Sequence, residues 1–330
     1  MKKLLYLLVL PLLMVACKTN KTQGEDVSYQ RVSPEFCADS AYTYIANQCA
    51  YGPRTMNSEA HDACGEWIAE KFEAFGAKVT YQNADLKLYD GTPIKSCNII
   101  AQINPDAPVR IMICSHWDSR PWADHDASEG NHHTAIDGAN DGASGVGIML
   151  EIARQIKLQG DTCKVQVGID LVCFDAEDCG TPEFDDDDED HSDTWCLGSQ
   201  YWGSQRVSEG YCPKYGVLLD MTGGKNTVFK KEMYSMRYAP TIVDKVWGMA
   251  HLLGYDEYFK NAEGGGITDD HVQVNLSGIP CIDIIGCDKD ASDFSFPKTW
   301  HTMNDNIHNI DKNVLKAVGQ TLMEIIWNEK

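Results

Sequence analysis

Basic residues are scarce in this chain of 330 residues: 28 Lys and Arg stand against 49 Asp and Glu, a formal charge of −21. Nucleic acid is therefore not the expected partner, because binding it requires basic surface that displaces counterions. No pair of its 13 cysteines has the C-x-x-C spacing of a zinc ribbon or a redox motif. Several of them (Cys97, Cys114, Cys173, Cys281) lie inside apolar runs, where a buried free thiol and a bridge are equally compatible with the pattern. "GASGVG" (142–147) does not satisfy Gly-x-Ser-x-Gly, so a serine-hydrolase elbow is not indicated. There is no internal repeat, no linker that splits the chain, and no long heptad pattern, so a monomer is expected.

One long apolar run stands at the very start. Lys2 and Lys3 precede "LLYLLVLPLLMVA", and Cys17 follows directly. A basic start and a short apolar segment ending on a small residue are the marks of a signal peptide, expected over 1–16. "MVAC" resembles a bacterial lipobox, which implies acylation of Cys17 and a lipoprotein of the cell envelope, facing the periplasm from the outer membrane. The lipid would be the only membrane attachment. Residues 17–33 are largely polar and are expected to be a flexible tether.

From Pro34 to the end, strands and helices alternate. Apolar β-type runs occur at 96–103, 109–118, 164–174, 215–221 and 279–286. Helical patterns occur at 56–75, 143–159, 197–209, 239–253 and 311–328, the second with Val146, Met149, Leu150, Ala153 and Ile156 on one face. Strands buried on both faces between amphipathic helices predict an α/β fold. The expected architecture is a three-layer sandwich with a mixed, mostly parallel central sheet, forming a single domain over 34–330. The acidic run "EFDDDDEDHSD" (183–193) reads as a solvated loop, with a calcium site as the weaker alternative.

Ligands of open α/β sheets bind beyond the carboxyl ends of the strands. Here those ends carry His116 and Asp118; Asp175, Glu177 and Asp178; and Asp220, with Asp141 at a helix entrance and His301 in a late loop. Each has a dull explanation alone: Asp141 as a helix N-cap, the histidines as core residues, the aspartates as turn formers. Converging, they would repel one another unless a cation sat among them, and His, Asp and Glu without cysteine suit catalytic zinc.

The series "CSHWDSR", "GANDGASGV", "FDAEDCG", "LGSQYW", "LLDM" and "TWHTMNDN" resembles the co-catalytic zinc aminopeptidase family. Within it the resemblance is to the branch of animal-type glutaminyl cyclases, also represented in Bacteroidetes. That resemblance implies one Zn2+ held by Asp141, Asp178 and His301, and Glu177 as general acid/base. Asp178 stands where the cyclases often carry a second glutamate. It also implies a hydrogen-bonded acidic pair at Asp220 and Asp269, with Asp270 competing for the latter place. Pocket tryptophans fall on Trp300 and, by a looser match, on Trp195. The implied reaction converts the N-terminal glutamine of peptides or proteins to pyroglutamate with loss of ammonia. The alternative is a two-zinc aminopeptidase using His116 and Asp220 as further ligands and Asp141 as the bridge. A non-catalytic envelope lipoprotein is the third reading, and it predicts a lost ligand, whereas all are present.

Overall fold

The computed structural model describes residues 29–163, 165–185, 190–205 and 211–330. The signal segment, Cys17 and most of the proposed tether lie outside the described residues, as do 186–189 of the acidic run. The compact unit begins at Arg31. Its start is already anchored, since Val32 and Ser33 donate backbone N–H groups to the Glu324 carboxylate at 2.8 and 2.9 Å. Within the expected span of 17–33, the described residues Val32 and Ser33 are thus held by a buried acceptor on the last helix.

Helices α1 (Ala38–Cys49) and α2 (Glu59–Ala74) precede an antiparallel hairpin, β1 (Lys78–Lys87) and β2 (Pro93–Ile103). Then come β3 (Arg110–His116), α3 (Ala143–Gln159), β4 (Gly168–Phe174), α4 (Leu197–Ser204) and β5 (Gly216–Asp220). A smaller group follows: β6 (Thr227–Lys231), α5 (Met233–Tyr238), α6 (Pro240–Leu252), β7 (Phe259–Glu263) and α7 (Asp270–Leu276). The strand β8 (Cys281–Asp288) and helix α8 (Lys312–Asn328) complete the chain.

The eight strands form one sheet in the order β1-β2-β4-β3-β5-β8-β6-β7. Its centre, β4-β3-β5-β8, is parallel, while β2 pairs with β4 and β6 with β8 antiparallel. Every residue of β4, β5 and β8 is buried, as strands rich in Val, Ile, Leu and Cys require, with Asp170 and Asp283 the buried acids within β4 and β8. Ile111 and Ile113 of β3 pack into the core that holds α1, α3, α6 and α8. Met112 and Cys114, pointing the other way, pack with Trp202 of α4 and Val274 of α7. The mixed three-layer sandwich predicted from the sequence is the observed fold.

Candidate active site

The parallel strands β3, β4 and β5 end side by side, with His116 opposite Phe174 and Asp220 opposite Ile285 of β8. Each chain then turns sharply. Ala176, Cys196, Met221 and His301 all adopt left-handed backbone, at φ 52°, 56°, 49° and 51°. Non-glycine residues in this region cost energy and gather where a chain must re-aim side chains.

Asp141 precedes α3, but it is not the cap. Gly142 holds that place at φ +84°, with no side-chain cap bond, which leaves the Asp141 carboxylate free to face the strand ends. A Cβ at Gly142 would come within 2.8 Å of the His116 ring, so only glycine lets the loop lie this close.

Two other carboxylates hold the loops. Asp118 Oδ1 accepts from Glu177 N and its Oδ2 from Asp178 N, both at 3.1 Å. Asp305 accepts from Asn140 N at 2.8 Å and from Asp141 N at 3.0 Å. Arg120 is buried beneath them, bonded to Asp124 and to the carbonyls of Asp178 and Gly180. Its guanidinium lies 4.5 Å from the Trp195 ring centroid.

Asp141, Asp178 and His301 come together: a ligand atom from each lies within 4.8 Å of the others. His301 Nε2 is 3.0 Å from Asp178 Oδ1 and 3.7 Å from Asp141 Oδ2. Asp141 Oδ2 and Asp178 Oδ2 are buried without a hydrogen-bond partner. Burial, and then the charge of Arg120, push the His301 pKa well below its ordinary value, so the imidazole is neutral with a lone pair to give. Orphaned oxygens beside a neutral imidazole fit a divalent cation, and His with two carboxylates is a zinc donor set.

A second set shares Asp141. His116 Nε2 is 3.0 Å from Asp141 Oδ1 and 3.3 Å from Asp220 Oδ1, and these three residues are likewise within ligand reach of one another.

Glu177, Asp220, Asp269, Trp195, Trp300, Asp141, Asp178 and His301 all line one cavity of about 320 Å³, together with Phe296 and Ile267. The Trp300 ring stacks on His301 at 3.8 Å between centroids, and Phe296 packs against Trp300 at 4.6 Å. A Cβ at Gly180 would meet the Trp195 ring at 2.3 Å, which makes this glycine the seat for that tryptophan. Glu177 accepts the thiol S–H of Cys196 on Oε1 at 3.2 Å. Burial pushes the Glu177 carboxyl well above its ordinary range. Burial likewise raises Asp220 to about 6 and Asp269 to about 7, with Asp141 adding to the first and Asp220 to the second.

Asp269 feels the charge of Asp220, His116 Nε2 bonds Asp220, and Asp269 Oδ1 accepts from the amide of Asp270 at the head of α7. Of the two competing aspartates, Asp269 faces the cavity, while Asp270 is fully buried and is not among the lining residues. All twelve cysteines from Cys37 onward are free thiols. Cys196, Asp124 and Phe296 were not singled out from the sequence. Asp124, two residues past "CSHWDSRPW", gave no signal, since His301, whose Nδ1 lies 3.6 Å from its Oδ1, is far away in the chain.

Residues 98–326 match the model of peptidase family M28, a zinc-dependent family. The chain belongs to that family. It is similar to a glutaminyl cyclase of Bacteroides thetaiotaomicron solved with N-acetylhistamine: 53% identical, TM-score 0.85, covering 90% of this chain and 100% of that one. It is as similar to a leucine aminopeptidase precursor of the same organism, at 52% identity and TM-score 0.85, covering 91% of this chain and 100% of that one. Among curated proteins, a glutaminyl-peptide cyclotransferase of Gloydius blomhoffii is 25% identical over 262 residues, 69% of this chain. The match spans 64% of that relative, less than two thirds of its length. Likeness alone does not separate cyclase from peptidase, because M28 relatives of near-equal similarity carry both names. The side chains at the site must do so.

Proposed function

We propose that this M28 protein is a glutaminyl cyclase, converting N-terminal glutamine of peptides or proteins to pyroglutamate and ammonia. The observation that carries the reading is the cavity itself. A carboxylate outside the Asp141–Asp178–His301 set, Glu177, faces a small pocket walled by Trp195, Phe296 and Trp300. A pocket of this size and apolarity fits one side chain of glutamine length folded back on its own amine. The similarity to a bacterial glutaminyl cyclase across 90% of this chain supports the same reading.

Asp141, Asp178 and His301 would hold a zinc ion, which when bound would supply Lewis-acid polarisation of the side-chain amide carbonyl. Glu177 has one oxygen held by Cys196, which leaves Oε2 to take a proton from the α-amine. The amine nitrogen bonds the amide carbon, Glu177 returns the proton to the amide nitrogen, the C–N bond breaks and ammonia leaves. A carboxyl held above its ordinary range by burial serves both transfers. Trp300 and Phe296 keep water from a carbonyl that must not hydrolyse. Asp220 and Asp269 line the same cavity, and this reading gives them the handling of the departing nitrogen's proton.

A two-metal aminopeptidase is the second reading, and the His116–Asp141–Asp220 set is what favours it. Both are tested on one sample: a glutaminyl and a leucyl fluorogenic amide, with ammonia and free fluorophore followed separately and zinc counted per chain. Ammonia without direct amide cleavage at one zinc supports the cyclase; direct cleavage of the leucyl amide at two zincs replaces it. The N-terminal segment with Cys17 supports placement as an envelope lipoprotein, which mass analysis of the membrane-extracted N-terminus checks.

A further inference from the structure

The thiol of Cys196 lies against the carboxylate that the reaction depends on. The residue is fully buried and donates S–H to Glu177 Oε1 at 3.2 Å, and its backbone N–H donates to Glu177 O at 3.0 Å. Asp269 completes the group. It is 3% exposed, and its Oδ2 has no hydrogen-bond partner although the residue lines the cavity. One ligand atom from each of Glu177, Cys196 and Asp269 lies within 4.8 Å of the other two. An orphaned oxygen in such a group calls for a partner.

We infer that Glu177, Cys196 and Asp269 form a separate binding site for a thiophilic divalent cation, such as Cd2+ or excess Zn2+, whose occupancy stops the reaction. It shares no residue with the Asp141–Asp178–His301 set. One sulfur and two carboxylate oxygens suit a borderline or soft cation, whereas calcium and magnesium take oxygen alone. Binding needs no oxidant. The S–H bond breaks, its proton passes to the buffer, and the sulfur lone pair goes to the cation; any proton carried by the Glu177 or Asp269 carboxyl leaves to the buffer with it. Glu177 and Asp269 line the substrate cavity, so the cation enters by the substrate's path and competes with it. The inhibition rests on the cyclase reading, because it requires Glu177 to be the proton carrier; the binding does not.

The test is a titration of zinc-loaded enzyme with Cd2+, in a Cys212→Ser background because that thiol is exposed. Ultraviolet thiolate-to-cadmium charge-transfer absorption, ammonia release and retained zinc are followed together. The expected result is an absorption increment that saturates at one equivalent, inhibition in step with it, and unchanged zinc. Adding Cys196→Ser removes the increment and weakens inhibition at least tenfold relative to that variant's own starting rate. Asp269→Asn, read by absorption alone, weakens cadmium affinity at least tenfold and serves if the serine variant does not fold. Equal absorption with and without Cys196, equal sensitivity of the serine variant, or zinc lost in step with inhibition overturns the proposal. Absence of ammonia release from untreated enzyme refutes the cyclase reading instead, and absorption still settles the cation site.

Discussion

Replacing Asp118 by asparagine removes one charge and one acceptor without changing shape. The native carboxylate is fully buried and holds the amides of both Glu177 and Asp178 at 3.1 Å. Burial pushes its pKa up, but the bond from His116 and those two amides outweigh this, so the group stays charged. Asparagine keeps one acceptor oxygen and turns an NH2 toward the other N–H. A hydrogen bond to a charged group contributes about 1.5–3 kcal/mol, and an unpaired buried donor costs about 1–3 kcal/mol more. Each 1.4 kcal/mol or so that reaches the transition state is a factor of ten in rate. Losing one bond therefore predicts a fall in kcat/KM of about 10- to 100-fold, with a Tm lower by a few degrees. The assay is ammonia release from a glutaminyl peptide, beside a thermal melt and a zinc count. Zinc affinity should fall too, since Asp178 is displaced with its backbone. Wild-type kinetics and Tm in Asp118→Asn would falsify the claim that this carboxylate sets the catalytic loop.

Four further outcomes follow from the same geometry. Glu177→Gln should keep zinc and lose at least about 100-fold in kcat, the usual worth of a positioned acid/base; normal turnover would move that role elsewhere. Trp300→Ala should raise KM at unchanged metal content, and loss of zinc would show instead that its stacking at 3.8 Å holds His301 in place. Chelation should lower Tm, because removing the cation leaves the Asp141 and Asp178 carboxylates buried together; an unchanged melt argues against a metal there. Far from the site, burial pushes the Glu329 pKa up, but Lys214, Lys245 and Tyr215 bonded to it outweigh that and hold it below the ordinary 4.5. A depressed carboxyl stabilises the fold above its unfolded pKa and loses that contribution as pH falls through the folded value. Melts of Glu329→Gln should therefore be lower than wild type at neutral pH and converge on it as pH falls below 4.5 and through the folded value. Parallel curves across that range would show that these bonds add nothing.

The central sheet was legible because its strands are buried on both faces and stay mostly apolar, with single acids such as Asp170 and Asp283 too few to break the runs. β4 begins at Gly168 rather than 164, and β5 and β8 end within two residues of expectation. The edges were not legible. In β1 no residue is buried, so "KVTYQNADLK" offers neither an apolar run nor a clean alternation. β6 and β7 are five residues each and escaped for want of length. Helix α4 was expected to 209, but the described helix stops at Ser204. Six of the eight candidate site residues share a cavity because they lie at a strand end or enter a helix, positions that topology gathers, while Trp300 and His301 reach it from the loop after β8. The groups that hold them could not be read in the same way. Asp118 acts on amides 59 and 60 residues away, and Cys196 meets Glu177 only because a left-handed turn folds the chain back.

The shared Asp141 is where one cation or two must be chosen, and His116 carries the choice. Its Nε2 sits between Asp141 and Asp220, while its Nδ1 is 3.5 Å from Asp118 Oδ1 and 3.9 Å from Glu177 Oε2. Four carboxylates thus surround one fully buried imidazole. Burial alone would keep that ring neutral, but bonds to Asp118, Asp141 and Asp220 raise its pKa well above the ordinary value. As an imidazolium it donates from Nε2 to Asp141 and Asp220 and supplies, with no second metal, positive charge among these acids. As a zinc ligand it must give up the Nε2 proton and both of those bonds at once. The first arrangement leaves Asp220 a proton-handling group, as the cyclase reading requires; the second makes it a ligand, as the peptidase requires. The same three side chains therefore serve either chemistry, and the protonation of one ring separates them.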